Sequence, residues 1–181
     1  MFTKIDAMKQ IEKEFRDLTI NPIHNICISE ENHFFEWKIT FIGPKNTPYE
    51  GGLFFVKIKF PFDYPYSAPL ACFITPIYNT FVNPKTDPEI KFEPLGLIVI
   101  PTIMWWWSPA KKMKEVISEI YQVFYNVTPS IHHDGIYLTD EFRNNRALYE
   151  NKAKYFTKKY ADPLKANAVK EDKDWDFSYE E

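Results

Sequence analysis

Two stretches of strict alternation constrain this chain more than anything else in it. Phe35, Trp37, Ile39 and Phe41 recur at every second position, and so do Phe54, Val56, Ile58 and Phe60, with Lys57 and Lys59 interleaved. Strand side chains point alternately to two faces, so each run predicts a strand with one buried face and one wetted face that carries the lysines. Asn46-Thr47-Pro48 and Gly51-Gly52 punctuate the connection between the runs, and Ala71 to Ile74 form another short apolar strand before Pro76.

Helical spacing brackets these strands. Ile5, Met8, Ile11, Phe15 and Leu18 make one apolar stripe, which predicts a helix over residues 3–18. Thr3 is a plausible N-cap with Asp6 three residues on, and Asn21-Pro22 closes the element. Met113, Val116, Ile117, Ile120 and Phe124 predict a second helix, with Ser108 as N-cap, Pro109 in the first turn, and Thr128-Pro129 as its stop. Residues 139–160 read as one further long helix capped by Thr139, with Asp140 and Glu141 in its first turn. The proline-rich stretch 83–94 reads as a loop. Closely spaced strands between helices indicate an α+β fold with one meandering sheet.

The chain has 181 residues, 45% hydrophobic and 18% aromatic, which suits one substantial core over residues 1–161. Residues 162–181 carry seven acids and three bases, leaving the remainder of a net −3 chain at +1. A near-neutral body offers no electrostatic footprint for nucleic acid or an anionic membrane. No apolar run approaches the roughly 20 residues that span a bilayer. The N-terminus holds Asp6, Glu12, Glu14 and Asp17, which reads as folded structure rather than an acid-poor presequence. Nothing in the sequence assigns a compartment.

Cys27 and Cys72 fit no zinc spacing, and both sit in apolar runs, so both read as buried hydrophobes. His132, His133 and Asp134 invite a metal or base reading, but adjacent histidines do not converge easily on one ion, and they read as exposed loop residues. No cofactor or metal is implied. Residues 170–181 interleave acids with Trp175, Phe177 and Tyr179, the composition of a docking segment as much as of a solvated end.

A set of motifs resembles the ubiquitin-conjugating enzymes. Glu14-Phe15-Arg16-Asp17-Leu18 ends the first helix; Trp37 to Pro44, Thr47-Pro48-Tyr49-Glu50-Gly51-Gly52, Phe60-Pro61-Phe62-Asp63-Tyr64-Pro65 and Pro69 follow in the family's order; Tyr149, Ala153, Thr157 and Lys159-Tyr160-Ala161 close the last helix. Gly96 and Trp107-Ser108-Pro109-Ala110 match the family's active-site segment in identity and spacing. The resemblance puts Val99 where that family has its thioester cysteine, and Asn79-Thr80-Phe81 where it has His-Pro-Asn, whose Asn stabilises an oxyanion. It puts Pro101 where a nearby acid belongs. The resemblance implies the family's α+β fold, an N-terminal helix, a four-stranded antiparallel meander and then C-terminal helices, and, from these replaced positions, an inactive pseudo-enzyme, a scaffold released from catalysis.

What that scaffold is expected to retain is protein contact. The resemblance makes Lys4, Lys9, Phe62, Tyr66, Ser108, Pro109 and Ala110 a ligase-facing surface. Trp105 and Trp106 replace normally polar positions, and because consecutive side chains of an extended segment face opposite ways, at least one of them should be exposed. The expected partners are other protein subunits of a larger complex; the alternative is an adaptor that binds ubiquitin or a ubiquitin-like protein, or pairs with an active conjugating enzyme.

Overall fold

A computed structural model describes residues 3–30, 34–82, 96–125 and 136–168. Helix α1 (Lys4–Ile20) leads into four strands, β1 (Ile26–Glu30), β2 (Glu36–Ile42), β3 (Leu53–Lys59) and β4 (Leu70–Phe73). Helices α2 (Pro101–Met104), α3 (Met113–Gln122), α4 (Ile136–Asn144) and α5 (Arg146–Tyr160) follow, with 3-10 turns at Val123–Tyr125 and Pro163–Ala168. The sheet is a four-stranded antiparallel meander in the order β1-β2-β3-β4. This is the expected α+β fold.

The alternation does what it predicts. Ile39 faces Ile28 and Val56 across the sheet, and Phe41 faces Ile26 and Phe54, so one row of large side chains is buried against the helices. The intervening Lys38, Lys57 and Lys59 lie half-buried on the other face. Helix α1 starts as the sequence requires: Thr3 Oγ1 accepts the Asp6 N–H at 3.3 Å, and Asp6 Oδ2 accepts the Thr3 N–H at 2.9 Å. That reciprocal pair satisfies donors the first turn would otherwise leave open.

Cys72 is buried, but Cys27 is exposed, against expectation. The reason is the period of two: Ile26 and Ile28 point into the core, so the residue between them points away. The predicted long helix over 139–160 is two helices. Asn145 breaks it with a non-helical backbone, and its side-chain oxygen accepts the Leu148 N–H at 3.1 Å to cap α5. Thr139 is therefore no cap; it lies inside α4, its Oγ1 buried without a hydrogen-bond partner among the described residues.

The loop joining β2 to β3 is pressed against α5. A Cβ on Gly52 would stand 2.8 Å from Thr157 Cγ2 and 2.7 Å from the Phe54 ring, and one on Gly43 would stand 1.8 Å from the Tyr49 carbonyl oxygen. Only glycine permits that closeness, and the Leu53 N–H completes the join by donating to the Ala161 carbonyl at 2.8 Å.

Candidate protein-docking site

The segment that the sequence singles out for chemistry is built into the fold's interior. Residues 96–99 run beside β4 and the Phe81-Val82 turn: the Ile98 N–H donates to the Ala71 carbonyl at 2.9 Å, and the Val99 N–H to the Phe81 carbonyl at 2.8 Å. Val99 is 6% exposed and packs with Leu97 and with Cys72, itself 4% exposed, while Leu70 leans on the same cluster. Phe81 belongs to the main core, and Pro101 is the first residue of α2.

Asn79 is wholly buried and its amide is already committed. Nδ2 donates to Tyr49 Oη at 3.0 Å and to the Val123 carbonyl at 2.8 Å, and Oδ1 accepts the Phe81 N–H at 2.9 Å. It holds a turn against a tyrosine pair, Tyr49 and Tyr149, whose hydroxyls lie 3.3 Å apart. Nearby, Tyr78 donates to Glu141 Oε1 at 2.8 Å and Lys152 pairs with the same carboxylate. Burial, reinforced by that carboxylate, pushes the Tyr78 hydroxyl well above the ordinary tyrosine range.

The exposed aromatics gather elsewhere. Phe62 and Tyr66 stand out from the loop after β3. Trp107 ties that loop to the next one, its Nε1–H donating to the Pro65 carbonyl at 2.7 Å and its ring 6.0 Å from that of Tyr64. Lys4 of α1 lies with Nζ 3.8 Å from the Phe62 ring centre. So α1, the Phe62 loop and the 105–110 loop meet on one face. On it Trp106 is 75% exposed and Trp105 48% exposed, with Ser108, Pro109 and Ala110 also open to solvent. The three tryptophans do not follow one extended segment as expected: α2 ends in a turn at Trp105, which throws Trp105 and Trp106 outward while Trp107 is drawn back.

Ser108 is no helix cap either. Its carbonyl accepts the Lys111 N–H at 2.9 Å in a separate turn, and α3 begins only at Met113 after Lys112, which offers no side-chain cap. The missing cap comes from α1. Glu14 Oε2 accepts the Met113 N–H at 2.6 Å, and Oε1 accepts from Tyr64 Oη at 2.9 Å and Gln10 Nε2 at 2.8 Å. A carboxylate 4% exposed is tolerated because three donors and a helix N-terminus face it. Reading by sequence missed this role, although one signal was present: Glu14 falls between Ile11 and Leu18 at helical spacing, on the buried stripe.

Trp175, Phe177, Tyr179, His132, His133 and Asp134 lie outside the described residues. Among the described residues, no group of His, Cys, Asp or Glu is placed to hold a metal ion, and no helix is long and apolar enough to cross a membrane.

The family model for ubiquitin-conjugating enzymes matches residues 10–157. The chain belongs to that family. A protein of Arabidopsis thaliana named probable ubiquitin-conjugating enzyme E2 31 is 31% identical over 165 residues, spanning 89% of this chain and 99% of its own. Members of the family bind other proteins, ubiquitin and ligases among them.

The expectation of an inactive pseudo-enzyme is overturned by these findings. It rested on single motif positions, above all Val99, whereas both the matching family and the Arabidopsis relative are ubiquitin-conjugating enzymes and neither points to inactivity. The physical flaw in the expectation is that one isopropyl group excludes a nucleophile only from its own position. It carries no information on thiols elsewhere, and Cys72 lies in the same cluster as Val99.

Proposed function

We propose that this member of the ubiquitin-conjugating-enzyme family works as an interaction subunit of a larger protein assembly, docking through Phe62, Tyr66, Trp105, Trp106 and the Ser108–Pro109–Ala110 turn. The observation that carries the reading is the exposure of Trp105 and Trp106 beside a loop that Trp107 pins in place. Tryptophans held open to solvent on a rigid support are the side chains that anchor interfaces, since they bury much area at small conformational cost.

The docking partner in this reading is a protein with an apolar pocket of tryptophan size. The same face includes the positions that the family resemblance assigns to a ligase, which supports a second reading: an adaptor that pairs with a conjugating enzyme or holds a ubiquitin-like protein. Native sizing of gentle extracts of its source cells, with mass spectrometry of co-migrating chains, tests both. The subunit reading expects a large stoichiometric assembly that W105A/W106A dissociates. Migration near 21.5 kDa would sink it, and co-migration with a single conjugating enzyme or ubiquitin-like protein would replace it with the adaptor reading.

A further inference from the structure

The chain holds four Ser-Pro or Thr-Pro pairs, at Thr47, Thr75, Ser108 and Thr128. Proline has no backbone N–H, so such a pair suits only those transfer enzymes that receive the following residue in an apolar pocket without bonding its amide. The fold treats the four pairs differently. Thr75 is fully buried, and its Oγ1 accepts the Phe55 N–H at 2.9 Å. Thr47 is half-buried, its Oγ1 donating to the Pro44 carbonyl at 2.8 Å and accepting the Tyr49 N–H at 3.2 Å. Thr128 lies outside the described residues.

Ser108 is left available by the way α3 begins. Glu14 takes over the capping of that helix, so the Ser108 hydroxyl keeps one long contact, accepting the Ala110 N–H at 3.4 Å. Ser108, Pro109 and Ala110 are all exposed. Their turn is closed by the Lys111 N–H on the Ser108 carbonyl at 2.9 Å, and a single bond in an exposed turn opens at little cost.

The flanking charge also singles out this pair. Ser108 has Lys111 three residues on, where Thr47 has Glu50, Thr75 has Tyr78 and Thr128 has Ile131. Lys111 Nζ pairs with Glu119 at 2.7 Å and lies 4.0 Å from Glu115. Pairs at the surface are worth little, so an acidic pocket or a phosphate can draw the lysine away from them. Lys112, next in the chain, is exposed.

We propose that Ser108 is a phosphorylation site for a proline-directed kinase that selects a basic residue three positions on, and that phosphate there closes the docking face. The Ser108 Oγ attacks the γ-phosphorus of ATP held by the kinase. The new O–P bond forms as the bond to the ADP oxygen breaks, and the hydroxyl proton passes to the kinase's base. The product carries about two negative charges two residues from Trp106, on a face whose tryptophans must shed water to dock. A phosphate resists that dehydration, so the partner is refused. Docking covers the same turn, which makes the undocked chain the substrate. The modification is independent of the docking reading above; the closure rests on it.

Incubating the purified full chain with a cyclin-bound cyclin-dependent kinase and Mg-ATP tests the site, with the modified position mapped by mass spectrometry. One phosphoryl group is expected, on Ser108. Ser108→Ala should take up none there, and Lys111→Ala should slow uptake by about fivefold, the upper worth of one exposed charge contact. No uptake by the folded parent would overturn the proposal, as would uptake at Thr47 or Thr75 in place of Ser108. The closure is read by adding tagged chain to source-cell extracts depleted of the native one. Unmodified chain should enter the assembly in native sizing, phosphorylated chain should run near 21.5 kDa, and phosphatase should restore entry. Equal entry of both forms overturns the closure. Failure of both to enter sinks the docking reading and the closure with it, and leaves the site decided by the mapped phosphate.

Discussion

Glu14 and Met113, 99 residues apart, are joined by a 2.6 Å hydrogen bond from the Met113 backbone N–H to the Glu14 carboxylate. One side chain of α1 thereby serves as the N-cap that α3 lacks in its own sequence. The same carboxylate holds Tyr64, whose ring lies 6.0 Å from that of Trp107, so α1, the loop after β3 and the 105–110 loop share one anchor.

Removing that anchor is expected to be costly. Glu14→Ala leaves the Met113 N–H and the Tyr64 hydroxyl buried without an acceptor and should destabilise the fold by about 3 kcal/mol. Glu14→Gln keeps the shape and part of the acceptor capacity and should cost about half as much. Urea denaturation of the two variants checks this. Equal and small losses would mean that water replaces the carboxylate.

The neighbouring tryptophans should separate cleanly. Trp106→Ala removes an exposed ring and should change stability by no more than about 0.5 kcal/mol, while weakening assembly in native sizing. Trp107→Ala removes a ring that packs on Tyr64 and a donor to Pro65, and should cost about 3 kcal/mol. Thermal melts beside the sizing profile distinguish the two roles.

Asn79 is expected to behave as a structural residue. Asn79→Ala leaves the Phe81 N–H and the Val123 carbonyl unpaired in the interior and should lower stability by about 2 kcal/mol, read by chemical denaturation. A variant as stable as the parent would show that its amide is not engaged as described.

Close approach at Gly52 gives a further test. Gly52→Ala puts a methyl group 2.8 Å from Thr157 Cγ2, and the overpacking should cost about 1–3 kcal/mol. The double variant Gly52→Ala with Thr157→Ser, which removes the opposing methyl, should recover part of that loss in the same melts.

Alkaline pH should unfold the protein through its tyrosines. Tyr64, Tyr78, Tyr121 and Tyr149 are each held above the ordinary value of 10.0, chiefly by burial. A raised folded-state value means that the folded chain retains protons the unfolded chain releases. Their contribution is intact below pH 10.0 and falls away as pH rises beyond it. Phenolate absorbance is expected to rise in two phases, exposed tyrosines first and the buried set together with loss of circular dichroism. A single phase with no unfolding would refute the burial of the Tyr64 and Tyr149 hydroxyls.

The sheet was legible because its signal is local. Alternation in 35–41 and 54–60 needs only the neighbouring residues to define two faces, and the Thr3–Asp6 box needs only three. The exposed tryptophans were partly legible: the sequence required one of them to be outside, but the turn at Trp105 decided that two are. The same local reading misplaced Cys27, where the strand period outweighs an apolar neighbourhood, and Thr139, where a good capping residue lost to Asn145.

By itself, the sequence determined the α+β meander, the buried face of each strand, the start of α1 and the family to which the motifs belong. Tertiary structure alone decided that Glu14 caps α3 and that Asn79 is spent on Tyr49 and Val123. Periodicity reports which way a side chain points from its own element. Whether a polar atom meets a partner depends on what the fold brings to it from distant positions, and no local pattern encodes that.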